Sequence, residues 1–183
     1  IKYMNLIGIK ARKASEYKIT TEVKNKVLND YAKLIKNEKK FIINQNSKDI
    51  NYARKKGLKE NLIKRLHLNE NKLNVIINSI LKIAKLRDPI DNTLDKWKRP
   101  NGLNIKRVSI PIGVIGVIYE SRPNVTSDVA SLCFKSGNVV ILKGGSEAIN
   151  SNKALAKLFR KALKKNKVDE NFIQFIDSKQ RRL

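Results

Sequence analysis

Two short polar loops, each following an apolar run, carry the residues most able to do chemistry. Lys143-Gly144-Gly145-Ser146-Glu147 comes directly after the apolar run 139–142. Two glycines let another group approach the backbone closely, and a helix starting beside them would offer free N–H groups to an anion. Lys143 adds a positive charge and a donor for ribose or phosphate oxygens. Because the segment is neither GxGxxG nor a P-loop, it indicates either nucleotide binding or a tight strand–helix turn.

The second loop is Glu120-Ser121-Arg122-Pro123-Asn124, which follows the apolar run 114–119. Pro123 fixes its own φ angle and favours an extended conformation at Arg122. The Arg122 guanidinium could pair with a phosphate or a carboxylate. The Asn124 amide could donate to an oxyanion that develops during a reaction. The alternative is a strand end followed by a helix, with Arg122 in solvent.

Four other polar or reactive residues are predicted to have structural or surface roles. Cys133, the single cysteine, lies among apolar residues of a predicted helix with no histidine nearby in sequence, so we expect core packing rather than a reactive thiolate. His67, the single histidine, ends a lysine-rich helix and has no obvious partner. Asn46 and Asp49 lie three residues apart on one face of a predicted helix, and we expect them to form a polar helix face.

The first half of the chain is predicted to be helical. Apolar residues recur at helical spacing in 22–37 and 71–86, and shorter helices are predicted at 39–56 and 60–67. Thr20 or Thr21 is a suitable N-cap, and Gly57 suits the end of the second helix. Asp88-Pro89 follows where the fourth helix must end.

A β-hairpin is predicted next, because 94–98 and 103–108 alternate apolar and polar residues. Pro100-Asn101-Gly102 between them contains a turn-forming Asn-Gly pair. Such a hairpin is either an edge ribbon or a dimerisation arm.

From Ile110 onward the pattern alternates between strands and helices. We predict strands at 114–119, 139–142 and 171–177, a helix at 125–136, and a later helix capped by Ser146. Repeated βα units favour an α/β fold with a parallel sheet and right-handed crossovers. The run 114–119 is typical of a strand buried on both faces. Ligands of such sheets bind beyond the carboxyl ends of the strands, where both polar loops lie.

Length, charge and the lengths of the apolar runs limit which classes of function the chain can have. The chain has 183 residues and a formal net charge of +24, which would suit a nucleic-acid binder. The lysines, however, are spread over the helix faces opposite the apolar stripes, without aromatic interleaving or zinc-ligand spacing. We therefore expect no nucleic-acid partner and no metal, although a basic nucleic-acid binder stays a third possibility. No run reaches the roughly 18 apolar residues of a membrane helix, and one cysteine suits the cytoplasm.

The segment GVIGVIYESRPNVTSDVASLCFKSGNVVILKGGSEAINSN, residues 113–152, resembles the gamma-glutamyl phosphate reductase family, also called glutamate-5-semialdehyde dehydrogenases, of the aldehyde dehydrogenase superfamily. GIKARKAS, INQNSKDI, ARKKGL and KLRDPI, earlier in the chain, fit the same family in the same order. The resemblance implies an aldehyde dehydrogenase-like α/β fold, in which N-terminal helices precede a partial Rossmann-like parallel sheet with a protruding hairpin.

The resemblance also implies an activity: NADPH-dependent reduction of L-glutamyl 5-phosphate to L-glutamate 5-semialdehyde and phosphate, in L-proline biosynthesis. It assigns Lys143, Gly144, Gly145 and Ser146 to cofactor binding, Asn124 to oxyanion stabilisation, and Arg122 to the substrate phosphate or carboxylate. NAD-preferring relatives often carry a glutamate at the position of Ser146, so the serine favours NADP(H). A homo-oligomer and functional coupling to glutamate 5-kinase are further implications.

By this resemblance, residues 1–90 are the helical part of the cofactor-binding domain. Residues 91–110 are the hairpin, an oligomerisation arm, and 111–183 are an incomplete βαβαβ unit. The catalytic domain with its nucleophilic cysteine would lie beyond position 183, and Cys133 does not match that cysteine. We therefore expect the chain alone to be inactive. The alternative is a truncated remnant that acts at most as a nucleotide- or protein-binding module.

Overall fold

The computed structural model describes residues 2–178, apart from the side chain of Lys2. The helices are α1 (Lys2–Ser15), α2 (Thr21–Asn37), α3 (Lys39–Lys55), α4 (Glu60–Leu66), α5 (Glu70–Lys85), α6 (Pro123–Lys135) and α7 (Ile149–Lys165). The strands are β1 (Thr93–Lys98), β2 (Asn104–Val108), β3 (Val114–Ile118), β4 (Val139–Lys143) and β5 (Ile173–Phe175). Two 3₁₀ turns, Ser146–Ala148 and Glu170–Phe172, precede α7 and β5.

Three parallel strands form the sheet, in the order β3-β4-β5. Helix α6 connects β3 to β4, and α7 connects β4 to β5, as predicted for repeated βα units. The prediction that 114–119 is buried on both faces is wrong, since Ile118 is 87% exposed. Within residues 2–178, β3 pairs on one side only, whereas β4 has a neighbour on each side. The third strand is shorter than predicted because the 3₁₀ turn takes its first residues.

The core joins the helical first half to the sheet. The ring of Tyr31 in α2 packs against that of Phe159 in α7, with centroids 4.4 Å apart and the rings tilted by 42°. Phe134 of α6 meets the edge of Phe159 and of Phe172, at 5.7 and 5.8 Å. Burying four aromatic side chains in one cluster removes a large apolar area from water. Residues before and after the hairpin in sequence therefore share one core. The predicted domain boundaries at 90 and 110 stay a prediction.

The helix ends follow their local sequence signals. The Thr20 hydroxyl accepts a hydrogen bond from the Val23 N–H, so Thr20 caps α2 as predicted. Gly57, just beyond α3, has a φ angle of +69°, a conformation that glycine adopts without strain. Helix α1 was not among the predicted elements, yet it buries Ala11 and Ala14 in the core.

The hairpin β1–β2 is antiparallel, with Trp97 opposite Ile105, and confirms the predicted pair of strands. Every side chain of β1 is exposed. The hairpin is anchored at its base, where the Asp91 N–H donates to the Ser109 carbonyl at 2.9 Å. Its exposed apolar residues, which include Trp97, could contact another surface. The role of the hairpin as an oligomerisation arm stays a prediction.

The ion pair between Lys24 and Asp88, largely buried, is expected to make stability depend on pH. Burial alone would raise the pKa of Asp88, but hydrogen bonds from Lys24 Nζ at 2.9 Å, from the Ile90 N–H at 3.1 Å and from Thr21 Oγ1 at 2.8 Å hold that pKa below its ordinary value. A depressed pKa contributes stability above the unfolded value, about 3.9, and that stability is lost as the pH falls through the folded value.

We therefore expect Asp88→Asn to lower the free energy of unfolding at neutral pH and to flatten its fall between about pH 5 and pH 2. Urea unfolding at a series of pH values measures both effects. The exposed Asp95→Asn serves as a control. An acid slope as steep as that of the original chain would contradict the assignment to Asp88.

Candidate functional site

The two polar loops lie side by side at the carboxyl ends of β3 and β4. The Tyr119 N–H donates to the Lys143 carbonyl at 3.1 Å, which continues the pairing of these strands to the loops. Beyond it, the Ser121 and Ser146 hydroxyls donate to the two carboxylate oxygens of Glu147, at 2.6 and 2.8 Å. Glu147 therefore ties the loops together, a role that the sequence did not indicate.

Glu147 is charged in this arrangement. Burial raises the pKa of its carboxyl group, but the hydrogen bonds from Ser121 and Ser146 outweigh burial and hold the pKa below its ordinary value. The tie between the loops is thus charge-assisted at neutral pH, and such hydrogen bonds are stronger than those between neutral groups.

The two glycines are needed for contacts within the protein. A Cβ on Gly144 would overlap the side-chain amide of Asn152 and lie 3.1 Å from two ring atoms of Tyr119. A Cβ on Gly145 would overlap the Ser121 hydroxyl and lie 3.0 Å from the Ser121 backbone nitrogen. The close approach expected from the sequence is therefore made by the protein's own chain, and approach by a cofactor stays a prediction.

The amino end of α7 is not open to an anion, contrary to the sequence prediction. The Asp49 carboxylate accepts four hydrogen bonds there: from the Asn150 N–H at 3.1 Å, the Asn150 side chain at 2.8 Å, the Ser151 N–H at 2.8 Å and the Ser151 hydroxyl at 2.6 Å. Ser146 does not cap α7 either, because a 3₁₀ turn separates them and its hydroxyl bonds Glu147. The acceptor that α7 needs comes instead from α3.

Asn46 and Asp49 both lie in α3, where they are only 1% exposed, so the polar helix face predicted there is buried rather than open to solvent. The Asn46 side chain donates to the Leu66 carbonyl at 2.9 Å and to the Ser151 hydroxyl at 3.0 Å, and it accepts from the Leu68 N–H at 2.8 Å. Both residues therefore brace α7, the helix that follows the polar loop after β4. They are the principal site residues that sequence reasoning missed.

Lys143 ends β4 at the rim of the sheet and is half-buried. Its ammonium group donates to the Ser178 carbonyl. Among residues 2–178 no carboxylate forms an ion pair with it, so its charge is not neutralised there. This position suits a donor to the hydroxyls of a ribose.

Two cations from different elements, Arg122 in the loop after β3 and Arg65 in α4, lie near the carboxylate of Glu120. Arg122 Nε and Arg65 Nη1 lie 3.6 and 3.8 Å from the same oxygen of Glu120, and all three side chains are substantially exposed. Asn124 is the second residue of α6, after Pro123, and its amide donates to Asp128 at 3.3 Å. Asn124 thus lies in the first turn of α6, just after Arg122, and Arg65, which the sequence did not single out, lies beside the same loop.

Comparison with known proteins identifies the relationship. No family model matches the chain. A gamma-glutamyl phosphate reductase from Persephonella marina is 41% identical over 98% of the chain. The crystal structure of the Thermotoga maritima gamma-glutamyl phosphate reductase covers 96% of the chain, with a TM-score of 0.93 and 41% identity.

The chain is a homologue of gamma-glutamyl phosphate reductases. It spans about two fifths of their length, namely 41% of the P. marina protein and 43% of the T. maritima structure. An acetylating aldehyde dehydrogenase from Geobacillus thermoglucosidasius, 13% identical, matches 98% of the chain and 37% of that structure with a TM-score of 0.66. That more distant likeness shows a shared fold, and the predicted aldehyde dehydrogenase-like α/β class is confirmed.

Cys133 packs in the core of this reductase homologue, as predicted. Burial raises the pKa of its thiol, which disfavours the thiolate that a nucleophile requires. The side chain of His67 is exposed, also as predicted. Within residues 2–178, no group of three His, Cys, Asp or Glu side chains could hold a metal ion. No helix in that range is long and apolar enough to cross a membrane.

Proposed function

We propose that the chain is part of an enzyme that reduces L-glutamyl 5-phosphate with NADPH to L-glutamate 5-semialdehyde and phosphate, in L-proline biosynthesis. The observation that supports this proposal best is the likeness to gamma-glutamyl phosphate reductases, which extends over nearly the whole chain in both sequence and fold. In this proposal the chain contributes the rim formed by its two polar loops, and the nucleophilic cysteine comes from another segment.

The residues present suit one end of the cofactor. Lys143 would donate to the ribose hydroxyls, and Ser146 would face the adjoining 2′-phosphate without the charge of a glutamate. The amino end of α7 would not hold the pyrophosphate, because Asp49 already occupies its N–H groups. When bound, NADPH supplies the hydride for the reduction.

At the neighbouring loop, Asn124 would donate its amide to the oxyanion, and Arg122 would orient the substrate phosphate or carboxylate. Both side chains are exposed, and they follow the carboxyl end of β3, the neighbour of β4 in the sheet. The hydrogen bond from Ser121 to Glu147 would keep the substrate loop and the cofactor loop in a fixed relation.

The test measures phosphate-dependent reduction of NADP⁺ by L-glutamate 5-semialdehyde, which is the proposed reaction run in reverse. The complete product of the reading frame that encodes the chain should catalyse it, and residues 1–183 alone should not. Turnover by residues 1–183 alone would contradict the expected inactivity. A complete product that binds NADPH without turnover would favour the binding-module alternative.

Cofactor preference provides a separate prediction. Ser146→Glu should weaken NADPH binding about tenfold more than NADH binding, since a second carboxylate close to the 2′-phosphate adds like-charge repulsion of a few kcal/mol before screening. Fluorescence titration with each nucleotide measures the two dissociation constants.

Ser146→Gln is the matched control, because it adds the same bulk without charge. Equal losses of NADPH and NADH affinity in Ser146→Glu would refute the role of Ser146. Glu147, the neighbouring carboxylate, is tested by Glu147→Gln. If that variant changed the preference between NADPH and NADH instead, Glu147 would be the residue that contacts the ribose.

The same proposal includes cytoplasmic location, coupling to glutamate 5-kinase and a homo-oligomer joined through β1–β2. The exposed apolar side chains of the hairpin, Leu94, Trp97 and Leu103, support the last of these. Sedimentation of the complete protein with and without the hairpin would measure the change in assembly. An unchanged oligomeric state would remove the hairpin from that role.

A further inference from the structure

A cleft of about 300 Å³ lies between the α4–α5 region and the start of α6. Its polar lining includes Arg65, His67, Ser79, Asn124 and Asp128, and its apolar lining includes Ile76. This volume is at the small end of ligand cavities, which suits a small molecule better than a dinucleotide. Asn124 belongs to both this cleft and the substrate loop, so the cleft opens onto the proposed reacting centre.

The cleft contains one cation whose hydrogen-bonding capacity is largely unused. The nearest carboxylate to Arg65 among the described residues is that of Glu120, at 3.8 Å, which is too long for a hydrogen bond. A guanidinium has five N–H donors in a fork that matches a carboxylate. Lys72 also lines the cleft, but its ammonium group already donates to the carbonyls of Lys64 and His67, at 3.1 and 2.7 Å.

The same cleft contains one anion that is held in place. One oxygen of Asp128 accepts a hydrogen bond from the Ser79 hydroxyl at 3.0 Å, and the other accepts from the Asn124 amide at 3.3 Å. Each carboxylate oxygen can accept a further hydrogen bond. Asp128 would repel a simple anion such as phosphate, whereas it would attract an ammonium group.

We propose that this cleft binds the α-amino-acid end of the substrate. Arg65 pairs with the α-carboxylate, and Asp128 pairs with the α-ammonium group. The cleft thus selects a zwitterion and leaves the far end of the side chain at Asn124 and Arg122. This inference rests on the proposed function, because it assumes that the substrate is an amino-acid derivative.

The test uses the full chain and three probes, namely L-glutamate and two analogues that each lack one of its charged groups. L-Glutamate has both groups, glutarate lacks the ammonium group, and 4-aminobutyrate lacks the α-carboxylate. Resonances of the cleft residues should shift saturably with L-glutamate, and more weakly with either analogue. Asp128→Asn should reduce the preference for L-glutamate over glutarate about tenfold, and Arg65→Gln should similarly reduce the preference over 4-aminobutyrate.

Asp95→Asn and Arg54→Gln, both at exposed positions outside the cleft, are the matched controls. Circular dichroism checks that each variant folds. If Asp128→Asn does not fold, Asp128→Glu takes its place, and if Arg65→Gln does not fold, Arg65→Lys takes its place. Absence of saturable shifts in the cleft would overturn the inference. So would preferences that stay unchanged in both cleft variants.

Binding preferences separate this inference from the proposed reaction. If the complete protein lacks reductase turnover while the two preferences change as expected, the cleft assignment stands and the proposed function fails. If turnover is present and neither variant changes the preferences, the cleft assignment fails and the proposed function stands.

Discussion

Asp49→Ala is expected to lower the free energy of unfolding by about 3 kcal/mol or more. The substitution removes the acceptor of four hydrogen bonds at the start of α7 and leaves a buried backbone N–H, that of Ser151, and a part-buried one, that of Asn150, without this partner. Each orphaned buried donor costs about 1–3 kcal/mol. The lost negative charge at a helix amino end adds about 0.3–1 kcal/mol.

Urea unfolding followed by circular dichroism measures this loss. Asp49→Asn should fall between the original chain and the alanine variant, because one amide oxygen can still accept. Asp95→Ala, on the exposed face of β1, is the control and should change stability by less than about 0.5 kcal/mol. A loss below about 1 kcal/mol in Asp49→Ala would show that water or another group satisfies α7.

Gly144→Ala should destabilise the chain by about 1–3 kcal/mol and also weaken the proposed binding of NADPH. The new methyl group would press on the Tyr119 ring and on the Asn152 amide. Asn152 is fully buried, and its side-chain oxygen accepts from the Thr126 hydroxyl at 3.0 Å, so it cannot turn aside without breaking that bond. The loop would have to move instead, and Lys143 would move with it.

Gly116→Ala in β3 is the matched control, because a Cβ at Gly116 meets nothing within 4 Å and its φ angle is not in the left-handed region. The pair is compared by thermal unfolding and by NADPH titration. If Gly144→Ala were as stable as Gly116→Ala and kept its NADPH affinity, the packing at Gly144 would not determine the shape of the loop.

Much of the fold was predictable because, in a helix with one buried face, the spacing of the apolar residues shows both the helix and which of its faces is buried. Val27, Tyr31 and Ile35 recur at helical spacing in α2, and all three are buried as the pattern requires. The position of β3 within the sheet was not predictable in the same way. An apolar run identifies a strand, but the number of its neighbours depends on pairing between distant segments.

Adjacency of the two polar loops was predictable, because parallel strands end at the same edge of a sheet. The bracing of α7 was missed, although a signal was present. Ile42, Asn46 and Ala53 follow one another at i, i+4 and i+11, and Asp49 at i+7 lies on the same stripe. Polar residues inside an apolar stripe indicate burial with partners. The partners of Asp49, Asn150 and Ser151, lie more than a hundred residues away and could be identified only from the structure.

The hydrogen bonds from α7 to Asp49 have a consequence for local opening. The first backbone amides of a helix normally exchange with solvent quickly, because nothing inside the helix accepts from them. The Asn150 and Ser151 amides donate to a carboxylate that is 1% exposed, so they should exchange as slowly as amides in the middle of α7. The start of α7, beside the polar loop after β4, would then open only when α3 separates from α7. The rigidity of this segment would depend on Asp49, about a hundred positions earlier in the chain.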